Sequence, residues 1–213
     1  MILDDESARK TADLLLQINA IKLNPENPFT WASGWKSPIY CDNRIILSFP
    51  KIRNFISDQL ATQVRTLYGK PDLIVGVATG AIGIGLLVAE KLDLPFAYVR
   101  PEAKSHGRKN QIEGHFTSGS KAVVIEDLVS TGMSSLNAVQ ALRDSNIEIL
   151  GMLAIFSYGF ELANIRFKNS EVALNTLCNY TYLLDQASKT GYIQPEYLET
   201  LKAWRNKPET WNP

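Results

Sequence analysis

Residues 122–135 read AVVIEDLVSTGMSS, and the reading of the whole chain follows from them. Ala122, Val123, Val124 and Ile125 have the composition of a buried strand. Two acids follow, Glu126 and Asp127, then Leu128 and Val129. A turn of small and hydroxyl-bearing residues comes next: Ser130, Thr131, Gly132, Met133, Ser134, Ser135. Beyond it Leu136, Val139 and Leu142 recur at helical spacing. Such a turn presents backbone N–H groups at a helix N-terminus, where the dipole favours an anion such as phosphate. Gly132 lets the backbone approach that anion closely. The two acids fall at the C-terminal edge of the strand, where open α/β sheets bind ligands. Carboxylates there suit vicinal hydroxyls, or water on a metal ion, and a phosphorylated sugar offers phosphate and diol together. A strand whose acids merely cap the next helix fits the same residues.

Working outward, strands alternate with helices. Residues 73–77 (LIVGV) form a buried strand, followed by a Gly-rich turn and a helix over about 81–91. Residues 96–99, 148–156 and 172–177 are further strands, and Pro50 opens a helix carrying Ile52, Phe55, Ile56, Leu60 and Val64. That rhythm predicts an α/β fold with a mainly parallel sheet covered on both faces. Residues 8–18 give an amphipathic first helix with Asp5 or Ser7 as its cap. Residues 24–36 are turn-rich and aromatic, 37–41 form a short strand, and the first 45 or so residues form a cap over the sheet edge. A last helix near residues 195–205 carries Tyr197, Leu198, Leu201 and Trp204 as packing material.

At 213 residues the chain makes one domain with a full core. Lys+Arg 22 against Asp+Glu 22 gives no electrostatic reason for a nucleic-acid partner. No apolar run reaches the ~20 residues of a membrane span, and the acidic MILDDESARK lacks a signal-peptide apolar core. These features predict a cytoplasmic enzyme. Cys41 and Cys178 read as apolar thiols, and with His106 and His115 they make no metal site.

Two other stretches carry chemistry. Residues 76–83 (GVATGAIG) form a second strand-to-helix turn, whose N–H groups and Thr79 hydroxyl could meet an anion; tight packing of small residues is the other reading. Residues 98–110 (YVRPEAKSHGRKN) are basic and too polar to be buried, fit either to close over a pyrophosphate or to lie solvated on the surface.

The opening segment resembles the motif that binds phosphoribosyl pyrophosphate (PRPP) in type I phosphoribosyltransferases, with Met133 where Gly or Thr is usual. Arg100 followed by Lys104, His106 and Gly107 resembles the catalytic loop of the orotate phosphoribosyltransferase family, with Pro101 replacing a second basic residue. Residues 29–42 (FTWASGWKSPIYCD) resemble the same family's Ser-Gly-x-x-Ser-Pro signature. The resemblance runs in the family's order over about residues 29–157. It implies the type I fold: a central, mainly parallel sheet flanked by helices under a small N-terminal hood. Its single domain, 1–213, would comprise a cap to about 45, a PRPP-binding core over about 46–180 and C-terminal helices over about 181–213.

The implied activity is transfer of ribose 5-phosphate from PRPP to orotate, giving orotidine 5′-monophosphate and pyrophosphate in pyrimidine (UMP) biosynthesis. Asp127, Arg100, Lys104 and His106 would be catalytic. Those four would bind PRPP together with Glu126, Leu128, Val129, Ser130, Thr131, Gly132, Met133, Ser134, Thr79 and Gly80. Ser33, Gly34, Lys36, Tyr40 and Ser130 would bind orotate. The resemblance also implies Mg²⁺ held mainly by PRPP and water, without direct protein ligands, and a homodimer whose loop reaches the neighbouring site. No nucleic-acid or membrane partner is implied. A type I transferase for another base, or a non-catalytic PRPP-sensing regulator, are the alternatives. Three departures stand out. Ala32 and Gly80 replace lysines found in some members, and residues 154–160 (AIFSYGF) lack an arginine that contacts orotate in many. Backbone groups, Tyr158 or Arg44 would take over that contact.

Overall fold

The computed structural model describes residues 1–31, 33–102 and 111–211. Its centre is a six-stranded sheet made of β5 (Leu73–Val77), β6 (Phe96–Val99), β7 (Ile112–Glu113), β8 (Lys121–Val129), β9 (Glu148–Ser157) and β10 (Leu174–Asn179). The order is β10-β9-β8-β5-β6-β7. Every pairing is parallel except β6 with β7. An edge strand, β7, thus follows directly after the polar stretch of residues 98–110, where composition carried no strand signal.

The middle strand is apolar on both sides because both faces are covered. Ala122, Val123, Val124 and Ile125 are fully buried. Side chains alternate along the strand. Val123 and Ile125 join a core built with α1 (Asp5–Gln17), α2 (Pro50–Tyr68), α3 (Ile82–Leu92) and α6 (Tyr180–Lys189). Ala122 and Val124 join a second core with α4 (Met133–Asp144) and α5 (Glu161–Asn169). The helix after β5 thus lies on one face and the helix after β8 on the other. Since β5 and β8 are neighbours, the loops leaving them diverge, and a crevice opens between their C-terminal ends. This is the topological switch point at which such sheets bind ligands.

The N-terminal helix α1 packs against α6 and β10. Its cap is Asp4, whose carboxylate accepts from Glu6 N and Ser7 N, one residue before the earlier of the expected caps. Asp4 has the extended backbone that a capping residue needs, and the expected caps are already within the helix. Two small ribbons follow. β1 (Ile21–Leu23) pairs with β4 (Ile39–Cys41), and β2 (Phe29–Thr30) with β3 (Lys36–Ser37). The strand expected over 37–41 is split at Pro38, which has no N–H to donate. The chain closes with α7 (Leu198–Asn206), whose Trp204 is fully buried. Among the described residues no helix is long and apolar enough to cross a membrane.

Candidate active site

The acidic pair ends β8 with unequal burial. Glu126 is 5% exposed. Its carboxylate accepts from Ser135 Oγ at 2.7 Å and from Asp127 N at 3.0 Å. Burial, and then the charge of Asp127, push the Glu126 carboxyl well above the usual range. Asp127 is half-buried, and its carboxyl is also raised, chiefly by burial. The two carboxyls thus share a dry corner at the crevice, and the free protein resists charging both.

Asp127 touches two other parts of the chain. Its carboxylate lies against Gly80, in the space a Cβ there would fill. Its carbonyl accepts from Asn43 Nδ2 at 2.7 Å, and Asn43 is 2% exposed. Asn43 opens the 3₁₀ turn Asn43–Ser48 and also accepts from Cys41 Sγ at 3.4 Å. The N-terminal segment is therefore pinned to the backbone of the acidic pair. Sequence reasoning did not single out Asn43; only its place just after the signature segment distinguished it.

The turn after β8 enters α4 through Gly132, which has φ +79°. That left-handed backbone favours glycine. No side chain caps α4, so its first N–H groups remain available. Arg166 Nη1, from α5, donates to Thr131 O at 2.9 Å and holds the turn from behind. Ser130 and Thr131 are half-buried, Leu128 is half-buried and Val129 buried within β8, and Met133 and Ser134 are exposed. Opposite, the turn after β5 contains a cis peptide bond between Ala78 and Thr79, with Thr79 exposed. Arg100 lines a pocket of about 150 Å³ shared with Ala78 and Ser134. The β5 turn, the β8 turn and Arg100 thus converge. Gln111 fixes the Arg100 backbone: Arg100 N donates to Gln111 O at 2.9 Å, and Gln111 Nε2 to Arg100 O at 2.8 Å. Lys104 and His106 lie outside the described residues, as does Ala32.

Beside the acids lies a cleft of about 270 Å³ lined by Thr30, Trp31, Tyr40, Cys41, Leu128, Ser130 and Tyr158. It is smaller than pockets for drug-sized ligands and suits a single planar ring. Tyr40 and Ser130, both expected to bind orotate, line this cleft. Ser33 and Gly34 form the turn of the β2–β3 hairpin instead of the cleft wall: Gly34 N donates to Trp31 O at 2.8 Å, and Ser33 Oγ accepts from Trp35 N at 3.4 Å. Lys36 Nζ donates to Thr30 Oγ1 at 2.8 Å, and Thr30 lines the cleft. Trp31 holds the hairpin down by donating from Nε1 to Ile39 O at 3.1 Å. Trp204, expected only to fill space, donates from Nε1 to Lys36 O at 3.2 Å and meets Trp31 edge-on. The last helix thereby supports the cleft from below.

An anion-receptive turn, an acidic pair and a ring-sized cleft around the switch point define a type I phosphoribosyltransferase. Residues 46–175 match the family described as "Phosphoribosyl transferase domain". The chain is 56% identical over 200 residues to an orotate phosphoribosyltransferase of Phocaeicola vulgatus, covering 94% of each. It is 53% identical over 204 residues to that of Bacteroides thetaiotaomicron, covering 96% of each. A crystal structure of orotate phosphoribosyltransferase from Aeropyrum pernix is similar with a TM-score of 0.74 and 27% identity, over 86% of this chain and 99% of that one. The chain belongs to the orotate phosphoribosyltransferase family, and its sheet, turns and crevice are those of the type I fold.

Proposed function

We propose that the crevice performs the orotate phosphoribosyltransferase reaction through the residues assembled there. The observation that carries this reading is the shared wall: Leu128 and Ser130 belong both to the acid-and-phosphate motif and to the ring-sized cleft. A base in the cleft then lies next to a ribose held by Asp127 and Glu126, with its 5′-phosphate on the turn from Ser130 to Ser134. The pyrophosphate falls between the Thr79–Gly80 turn and Arg100. Lys104 and His106 join it through the resemblance of their loop. Pyrophosphate is a good leaving group, so the chain needs no covalent nucleophile. Bond cleavage leaves positive charge on the ribose, and the acids facing it favour that charge. Positioning of base and sugar in one crevice supplies the rest.

The donor set fits Mg²⁺ held chiefly by substrate oxygens. Asp127, partly open beside Gly80, would face such an ion through water, and Glu126 is engaged with Ser135. When bound, the ion would draw charge from the pyrophosphate. The reading includes a homodimer with shared sites and a cytoplasmic location. It takes residues 1–45 as cap, 46–180 as PRPP-binding core and 181–213 as closing helices. The test is ultraviolet assay of orotate loss with PRPP and Mg²⁺, alongside uracil, adenine and hypoxanthine. Orotate should be consumed with release of pyrophosphate. Faster turnover of another base, or PRPP binding without any turnover, would replace this reading.

A further inference from the structure

Tyr158 follows the end of β9 and is 2% exposed. Its ring centroid lies 5.1 Å from Trp31, 5.5 Å from Phe156, 5.4 Å from Phe160 and 5.6 Å from Trp204. A phenol that deep ordinarily has a hydrogen-bond partner. Its neighbour Tyr180 follows the rule, donating to Leu201 O at 3.1 Å. Among the described residues the Tyr158 hydroxyl has no partner. Nor is it sealed away from solvent, as the unpaired Thr11 Oγ1 and Gln63 Oε1 are. The oxygen therefore reaches open space, and the space Tyr158 lines is the ring-sized cleft.

Arg44, the other side chain expected to replace the missing arginine, is already engaged. Arg44 makes a two-point pair with Asp42, Nε to Oδ1 at 2.6 Å and Nη2 to Oδ2 at 2.8 Å, and is largely exposed. Burial, with Cys41, Tyr180, Tyr40 and Asp127 nearby, pushes the Tyr158 phenol well above its ordinary range. The group therefore keeps its proton at neutral pH and remains a donor. A ring bearing carbonyl or carboxylate oxygens supplies the acceptor that is missing.

We propose that Tyr158 is a specificity-determining residue whose hydroxyl donates a hydrogen bond to an oxygen of the pyrimidine base in the cleft. This rests on the cleft being the orotate site. Tyr158→Phe removes one oxygen, keeps the ring packing and orphans no protein group. The variant should lower kcat/KM for orotate about tenfold or more. KM for PRPP should stay within about twofold and the thermal midpoint should not fall, because the lost bond is made only to the base. An unchanged kcat/KM for orotate, with an active parent enzyme, overturns the proposal. So does a rise in the PRPP KM equal to that for orotate, since the hydroxyl would then serve the whole site. A parent enzyme that transfers nothing to orotate instead removes the functional reading beneath it.

Discussion

The Asp127 carboxylate occupies the place where Gly80 would carry a side chain: a Cβ built on Gly80 would overlap its Oδ2 and Cγ. The two turns of the site are thus interlocked through one acid and one missing methyl group. A side chain of any length at Gly80 has no room here while Asp127 keeps this position. Gly80→Ala should therefore displace the acid and spare the fold, since Gly80 does not need a positive φ. We expect kcat/KM for PRPP to fall about 10- to 100-fold, as misplaced reacting groups do, with an unchanged circular dichroism spectrum. Activity equal to the parent's would show that Asp127 works from another position.

Glu126→Gln should make the ligand-free protein more stable and less active. Glu126 has its carboxyl raised well above the ordinary 4.5 by burial and by Asp127. The folded protein thus holds this proton more tightly than the unfolded chain does. The contribution of Glu126 to stability consequently falls as pH rises from about the ordinary value through the folded value. Glutamine has no such penalty. The gain in thermal midpoint should widen as pH is raised from about 5 to about 8, while activity with PRPP drops. A variant less stable than its parent at the upper pH would mean that the charged acid is well satisfied in the free enzyme.

Asn43→Ala leaves a part-buried carbonyl, that of Asp127, without this donor. A fully buried unpaired acceptor costs about 1–3 kcal/mol, and this part-buried one should fall at the lower end of that range. Denaturant unfolding should show that loss, and KM for PRPP should rise because the acid's backbone is no longer pinned. Lost stability with unchanged kinetics would reduce Asn43 to a packing role.

Much of this site was legible because it is local. The β8 segment states its strand, its acids and its turn in consecutive residues, and its two-sided burial follows from Ala122, Val123, Val124 and Ile125. What was missed depends on contacts between distant residues. Asn43 meets Asp127 across 84 positions, and Trp204 meets Lys36 across 168. Helix α5 is weakly patterned, with Leu162 and Ile165 exposed beside buried Ala163 and Phe167, so periodicity did not reveal it. Yet α5 supplies Arg166 to the turn after β8. Ser33 and Gly34 sit in the turn of the β2–β3 hairpin, and a linear signature does not say which of its residues build a turn and which line the cleft.

Gly132 gives a stability result before a binding one. A Cβ there would meet Phe167 Cε2 at 2.9 Å, on a backbone with φ +79°. Gly132→Ala should cost about 1–3 kcal/mol from the backbone strain alone, read by denaturant unfolding, with weaker PRPP binding by calorimetry. Binding unchanged in the face of that loss would mean that the turn caps α4 without holding the phosphate.

A homodimer with shared sites makes a prediction for mixed subunits. If the loop bearing Lys104 serves the neighbouring subunit, its charge meets the departing pyrophosphate chiefly in the transition state. Lys104→Ala should then lower kcat more than it weakens PRPP binding. Asp127→Asn disables the other half of the same site, by removing a charged hydrogen bond to ribose worth about 1.5–3 kcal/mol. Each variant alone should be nearly inactive. In a mixed dimer, one site receives the intact loop of one chain and the intact acid of the other, and its partner site receives both defects. Mixing the two variants under conditions where subunits exchange should restore part of the parent activity, up to one working site in each mixed dimer. Exchange proved by a labelled subunit with no return of activity would place the loop on its own chain's site.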